Sequence, residues 1–172
     1  DVDPDDVFTC VEMIYQTVHQ HATSYEMFEG ITNIARINED PGQTYTIDPL
    51  LTDILQTGID YSSEVGERFD ITLGPVLEYW DDAMIACNEG GPCEVPEKTD
   101  LVNANQFVGL EKIQLDGNSL TLEDGMNIEL GGIAKGYAAG LVGDYLRSVT
   151  GVHGYLINAG TSNIEVQGIH PT

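Results

Sequence analysis

One stretch of the chain has residue types suited to holding a charged ligand: Glu129-Leu-Gly-Gly-Ile-Ala-Lys-Gly-Tyr137. Two adjacent glycines let a backbone approach a ligand closely, because no Cβ intrudes. A helix that starts just after them presents unpaired N–H groups and the positive end of its dipole. Lys135 falls in the first turn of that helix, where a cation opposes the dipole, so an anionic ligand would give it a purpose. Glu129, just before the glycines, can accept hydrogen bonds from a sugar or a base. The same residues also describe a tight turn that packs a helix on a sheet with Lys135 solvated. The pattern is neither a P-loop nor a Gly-x-Gly-x-x-Gly fingerprint.

Two further segments carry polar groups beside chain-breaking residues. In Arg68-Phe-Asp-Ile-Thr-Leu-Gly-Pro75, Phe69 can stack on a ring or fill the core, and Asp70 and Thr72 can bind polar ligand groups. Asn158-Ala-Gly-Thr-Ser-Asn163 is a polar, glycine-bearing loop at a strand end, either a ligand loop or an ordinary turn. His19, His21, His153 and His170 lack metal-ligand spacing. Neither a Gly-x-Ser-x-Gly elbow nor a His-Glu-x-x-His motif occurs, which leaves serine or zinc hydrolysis without support.

The surrounding pattern predicts the elements that must position these segments. Asp3-Pro4 caps a first helix whose apolar stripe is Val7, Val11, Ile14, Val18 and Tyr25. Residues 27–41 read as loop with one helical turn at 34–37. Asp48-Pro49 caps a second helix, with Leu51, Leu55, Ile59, Ser62 and Val65 inward and Gly66 as its stop. A third helix spans 76–86, with Trp80 on it, and a short one spans 102–107 after a polar loop. Strands alternate from Lys112 onward, turn at Asp116-Gly117 and again at Asp124-Gly125, and a further strand at 127–130 feeds the Gly131-Gly132 turn. A helix over 133–149, a strand over 155–158 and further strand at 164–166 complete the order. This is an α+β class, with helices packed on a largely antiparallel sheet.

Composition bounds the rest. The 172 residues suit one domain with a real core, and 41% are apolar. Asp and Glu number 29 against 6 Lys and Arg, a formal charge of -23. Such a surface repels phosphate backbones, so nucleic acid is not an expected partner. Growth in high salt and an acidic extracytoplasmic protein both account for it. Cys87 and Cys93 flank a Gly/Pro-rich loop and can close a disulfide, but the odd Cys10 weighs against a paired framework. No apolar run reaches the ~18 residues of a membrane-spanning helix.

Taken in order, the segments resemble the ApbE-type flavin transferases. Phe69-Asp-Ile-Thr-Leu-Gly-Pro75 with Trp80 is similar to their Phe-Asp-x-Thr-x-Gly-Pro-Leu…Trp segment. Glu129 to Ala138 resembles their Asp-Leu-Gly-Gly-Ile-Ala-Lys-Gly-Tyr-Ala. Leu156-Ile-Asn-Ala-Gly160 resembles their Asn-x-Gly-Gly piece, and Ile34-Ala-Arg-Ile-Asn38 their Ser-x-Ile-Ser-Arg-Leu-Asn. The resemblance covers nearly the whole chain and implies a T-fold-like flavin transferase fold. It implies FAD and Mg2+ as cofactors, and transfer of FMN from FAD to a Thr or Ser hydroxyl of an acceptor protein in a membrane redox complex. It implies an extracytoplasmic, lipid-anchored location. Arg68, Phe69, Asp70, Glu129, Lys135, Asn158 and Gly160 would lie at the FAD, and the carbonyl near Gly132 would help hold Mg2+. No catalytic side chain is assigned.

The chain also departs from the family pattern. Gly140 stands where the family helix has Asp, and Thr161 where it has a second glycine. Family members run far longer, so residues 1–172 are expected to be a single domain shortened at both ends, mainly at the C-terminus, with most Mg2+ ligands beyond it. An inactive flavin-binding relative and an enzyme that hydrolyses FAD to FMN and AMP are the alternatives.

Overall fold

A computed structural model describes residues 3–160 and 162–168. Helix α1 spans Pro4–Ala22. Asp3 starts it by accepting from the Asp5 amide at 3.0 Å, with Asp5 and Asp6 in the first turn and His19 and His21 in the last, matching the helix dipole at both ends. The helix ends before Tyr25: Thr23 turns extended, so Tyr25 leaves the predicted stripe and becomes surface. Helix α2, Ile34–Glu39, extends the predicted turn, and its Ile34 and Ile37 are fully buried.

Strand β1, Thr44–Thr46, was not expected, since three residues carry too little periodicity to read. Helix α3, Pro49–Val65, starts where Asp48 accepts from the Leu50 amide at 2.8 Å and stops at Gly66. Its buried stripe is Leu51, Ile54, Leu55, Gly58 and Ser62; Ile59 and Val65 are only half-buried. A 3-10 turn, Gly66–Arg68, follows. Helix α4, Gly74–Asn88, begins at Gly74-Pro75 instead of after it, because proline fits the first helical turn. Most of α4 is exposed, Trp80 included.

Cys87 at the end of α4 is joined to Cys93 by a disulfide, against the expectation drawn from the odd cysteine count; Cys10 is free. The six-residue separation and the glycine-rich loop bring the two sulfurs together locally. Helix α5 occupies Lys98–Ala104, earlier than expected, with 3-10 turns at Asn105–Phe107 and Leu110–Lys112. Strands β2, Ile113–Asp116, and β3, Ser119–Leu122, form the predicted hairpin, and β1 adds to its far edge in the order β1-β3-β2, all antiparallel.

Residues 127–130 are extended but belong to no strand. Their alternation holds: Met126, Ile128 and Leu130 are buried. Their hydrogen bonds come from single partners instead of a ladder, as described below. Helix α6, Ala134–Ser148, packs mainly on α1. Strands β4, Gly154–Asn158, and β5, Ile164–Gly168, make a separate antiparallel pair against α6. One core joins α1, α2, α3, the three-stranded sheet and the 126–130 segment, and Ile71 is buried in it. Among the described residues, no helix is long and apolar enough to cross a membrane.

Candidate functional site

Two segments distant in sequence meet at Glu129. Its carboxylate accepts from the Gly131 amide at 2.6 Å through one oxygen and from the Ser24 hydroxyl through the other. Its own amide donates to the Ile71 carbonyl at 2.9 Å, which joins the Phe69–Pro75 segment to the glycine turn. Gly74 presses on the same segment, so that a Cβ there would lie 2.5 Å from the Asn127 carbonyl oxygen; only glycine allows that approach. From the other side Asn38 acts as a surrogate strand. Its Oδ1 accepts from the Ile128 amide at 2.9 Å, and its Nδ2 donates to the Ile128 carbonyl at 2.8 Å and to Asn127 Oδ1 at 2.6 Å. These bonds explain an extended segment with no strand partner.

Glu129 separates two clefts. The first, about 270 Å³, lies between α1 and the start of α6; its lining is mostly apolar, with Val18, Ala22 and Ala138 on it, and its charged groups are Glu129 and Lys135. Lys135 is exposed on it, and no side chain caps the N-terminus of α6 there. The second, also about 270 Å³, shares Ser24, Tyr25 and Glu129 and adds Glu78, Asp81 and Asp82 from α4. The first therefore sets a lysine and an uncapped helix start against one carboxylate, whereas four carboxylates and no cation line the second. Of the two, the first carries the less negative lining and the second is the more hostile to an anion.

Tyr25 bridges the two clefts. Its hydroxyl donates to Asp81 at 3.3 Å. Burial first, then the negative charges of Glu129 and Asp81, raise its phenol above the ordinary range. The Tyr15 hydroxyl is buried without a partner among the described residues, and burial, then the charge of Glu165, raises it too.

The residues singled out in sequence divide into two groups. Glu129 and Lys135 line the first cleft. Phe69 packs against Gly132, where a Cβ would lie 2.9 Å from its ring, and edge-on to Tyr61 with ring centroids 5.3 Å apart. The bare face of Gly132 is thus filled by Phe69 and that of Gly131 by the Glu129 carboxylate, so both glycines serve packing. Asp70 is committed locally: its Oδ1 accepts from the Thr72 amide at 2.8 Å and the Thr72 hydroxyl at 2.6 Å. Thr72 in turn accepts from the Gly109 amide at 2.9 Å.

Arg68, exposed at the end of its 3-10 turn, lines neither cleft; nor do Asn158 and Gly160. The loop of Asn158 and Gly160 does approach the start of α6, since the Asn163 amide lies 3.1 Å from where a Cβ of Gly136 would sit. Thr161 and His170 lie outside the described residues. Sequence reasoning missed Ser24, Tyr25, Asn127 and the role of Asn38. Asn38 was visible only as part of a matching segment, and its partners are about 90 positions away.

Gly132 offers one carbonyl, and no group of three or more His, Cys, Asp and Glu among the described residues is placed to hold a metal ion. Mg2+ requires near-octahedral oxygen coordination, commonly anchored by carboxylates.

Fold and clefts define an α+β domain whose candidate site lies where the 127–130 segment leads into helix α6. The chain belongs to the ApbE family, whose family model matches residues 5–172. It is 22% identical over 164 residues to an FAD:protein FMN transferase of Vibrio cholerae, covering 94% of this chain and 46% of that protein. Its fold is similar to the apo flavinyl transferase ApbE of Pseudomonas stutzeri, with TM-score 0.79, 24% identity, and coverage of 97% of this chain and 53% of that one. It is also similar to the flavin transferase ApbE of Vibrio cholerae, with TM-score 0.80, 20% identity, and coverage of 98% and 52%. The chain thus spans about half the length of the relatives it matches.

Proposed function

We propose that this chain is the FAD-holding portion of an FAD:protein FMN transferase. The observation that carries the reading is the fixed Glu129 carboxylate, with Lys135 and the uncapped start of α6 on one side of it and the carboxylate-lined cleft on the other. FAD is a diphosphate between two ring systems. Its diphosphate suits the Lys135 side, where a cation and helix amides offset its charge. A ring edge that carries N–H donors suits the carboxylate side. Family membership and the named relative support the reaction.

In that reaction a Thr or Ser hydroxyl oxygen of an acceptor protein bonds to the FMN phosphorus of FAD and gives up its proton to solvent. The bond from that phosphorus to the bridging oxygen breaks, and AMP leaves. Lys135 offsets charge on the diphosphate, and Glu129, held at both oxygens, fixes the turn that carries the α6 amides. Mg2+ enters the reading through family resemblance, and the residues described supply no set of ligands for it. An acceptor in a membrane redox complex and a lipid-anchored, extracytoplasmic location belong to the same reading. The Cys87–Cys93 disulfide supports an oxidising compartment.

The test is to incubate the full-length gene product with FAD, Mg2+ and a flavin-carrying candidate acceptor, then weigh the acceptor and assay AMP. The expected result is an added FMN mass on a Thr or Ser with AMP released. FAD bound without label identifies an inactive relative. FMN and AMP without label identify a hydrolase. Neither binding nor label overturns the proposal.

A further inference from the structure

The two clefts meet where residues 23–26 face residues 127–129, and those segments are separated by about a hundred positions. Helix α2 is hydrogen-bonded to both. Ile34 and Ile37 anchor it in the core, and an asparagine side chain reaches out from each end. Asn33 is 0% exposed. Its Nδ2 donates to the Gln20 carbonyl at 3.0 Å and the Glu26 carbonyl at 2.7 Å, while its Oδ1 accepts from the Arg36 amide at 3.1 Å. One side chain thereby ties the end of α1, the far side of the Ser24-Tyr25 loop and the start of α2. Five residues on, Asn38 holds Asn127 and Ile128 through the three bonds given above. Neither asparagine lines either cleft.

We propose that Asn33 and Asn38 are positioning residues: through α2 they set the gap across which Ser24 meets Glu129, and so govern ligand affinity without touching the ligand. The affinity part rests on the reading of the clefts as an FAD site; the geometric part does not. The chemistry demands asparagine at both positions. Each side chain must donate two hydrogen bonds and accept one, which an amide does and an ionised carboxylate cannot. Aspartate at position 33 would set a negative charge against two carbonyl oxygens, and a residue with no polar atoms there would remove the bonds to both. Nothing local in sequence explains the pairing, because Asn33 looks like a helix cap and Asn38 like a polar helix residue.

The test uses Asn33→Ser and Asn38→Ser, each alone and combined with Ser24→Ala. Asn38 is only partly buried and α2 keeps its two isoleucine anchors, so Asn38→Ser carries the test if Asn33→Ser fails to fold. The first readout needs no ligand. The Gly131 amide resonance, which reports the bond to Glu129, should shift in each asparagine variant while circular dichroism stays that of the parent. In the second, FAD affinity should fall about fivefold in each single variant, and each double variant should bind no more than about twofold weaker than Ser24→Ala. A merely structural role would leave the Gly131 resonance in place and make the losses multiply, and either result overturns the proposal. A parent chain that binds no FAD overturns the FAD reading and the affinity part; the Gly131 readout still decides the geometric part.

Discussion

The wall around Glu129 and the β4–β5 hairpin both carry residues that sequence singled out, and they are built in opposite ways. The Glu129 wall is held from four directions: by Ile71, Asn38, Gly74 and Ser24. Its alternate side chains, Ile128 and Leu130, lie in the main core. The hairpin has only two strands, and it rests on α6 through surface groups: Arg147 donates to Tyr155 at 2.6 Å, Glu165 at 3.1 Å and Gln167 at 3.0 Å. Its outer face shows Leu156, Ile164 and Val166 at 65–69% exposure. A two-stranded pair alone is marginally stable in water. The groups on the wall are therefore held by the core, whereas Asn158 and Gly160 depend on a hairpin that meets α6 through the Arg147 cluster, Glu165 against Gly143 and Asn163 against Gly136.

Substitutions should expose this contrast. Leu55→Ala, in the core that carries the wall, should cost about 2–5 kcal/mol in urea unfolding. Val166→Ala on the hairpin's outer face should stay within about 0.5 kcal/mol, and equal losses would erase the contrast. Gly74→Ala forces a methyl group onto the Asn127 carbonyl and should cost about 1–3 kcal/mol, with weaker FAD binding measured on the same sample. Arg147→Met should leave the global unfolding midpoint nearly unchanged but speed amide exchange across 154–168, since the ion pairs it removes are at the surface. Smallest is a pH effect on the wall. The Tyr25 phenol is raised in the folded state, so its contribution to stability is complete below the ordinary phenol range and is lost as pH rises through the raised value. Tyr25→Phe should remove one late-titrating phenol from the ultraviolet titration and flatten that alkaline loss.

Local signals were legible and distant ones were not. Asp3-Pro4 and Asp48-Pro49 announced two helix starts, and Asp116-Gly117 the hairpin, because caps and turns act over a few residues. Glu129 and Lys135 were legible as a pair because the turn that joins them is local. The 127–130 segment has strand alternation, yet its hydrogen bonds go to Asn38 and Ile71, choices that periodicity does not encode. Ser24 and Tyr25 read as the tail of α1, and only the fold brings them to Glu129. One oxygen of Asp70 accepts from its own Thr72, a local bond that the residue pattern did not announce.

The central claim is that the cleft at Glu129 and Lys135 holds the diphosphate of FAD. The most direct measurement is a fluorescence titration of FAD into this chain and into its Lys135→Ala variant. Removing a charge-assisted contact should weaken binding about tenfold or more, while circular dichroism and the unfolding midpoint stay those of the parent. Equal affinity in the two proteins, or no FAD binding by the parent, would contradict the account.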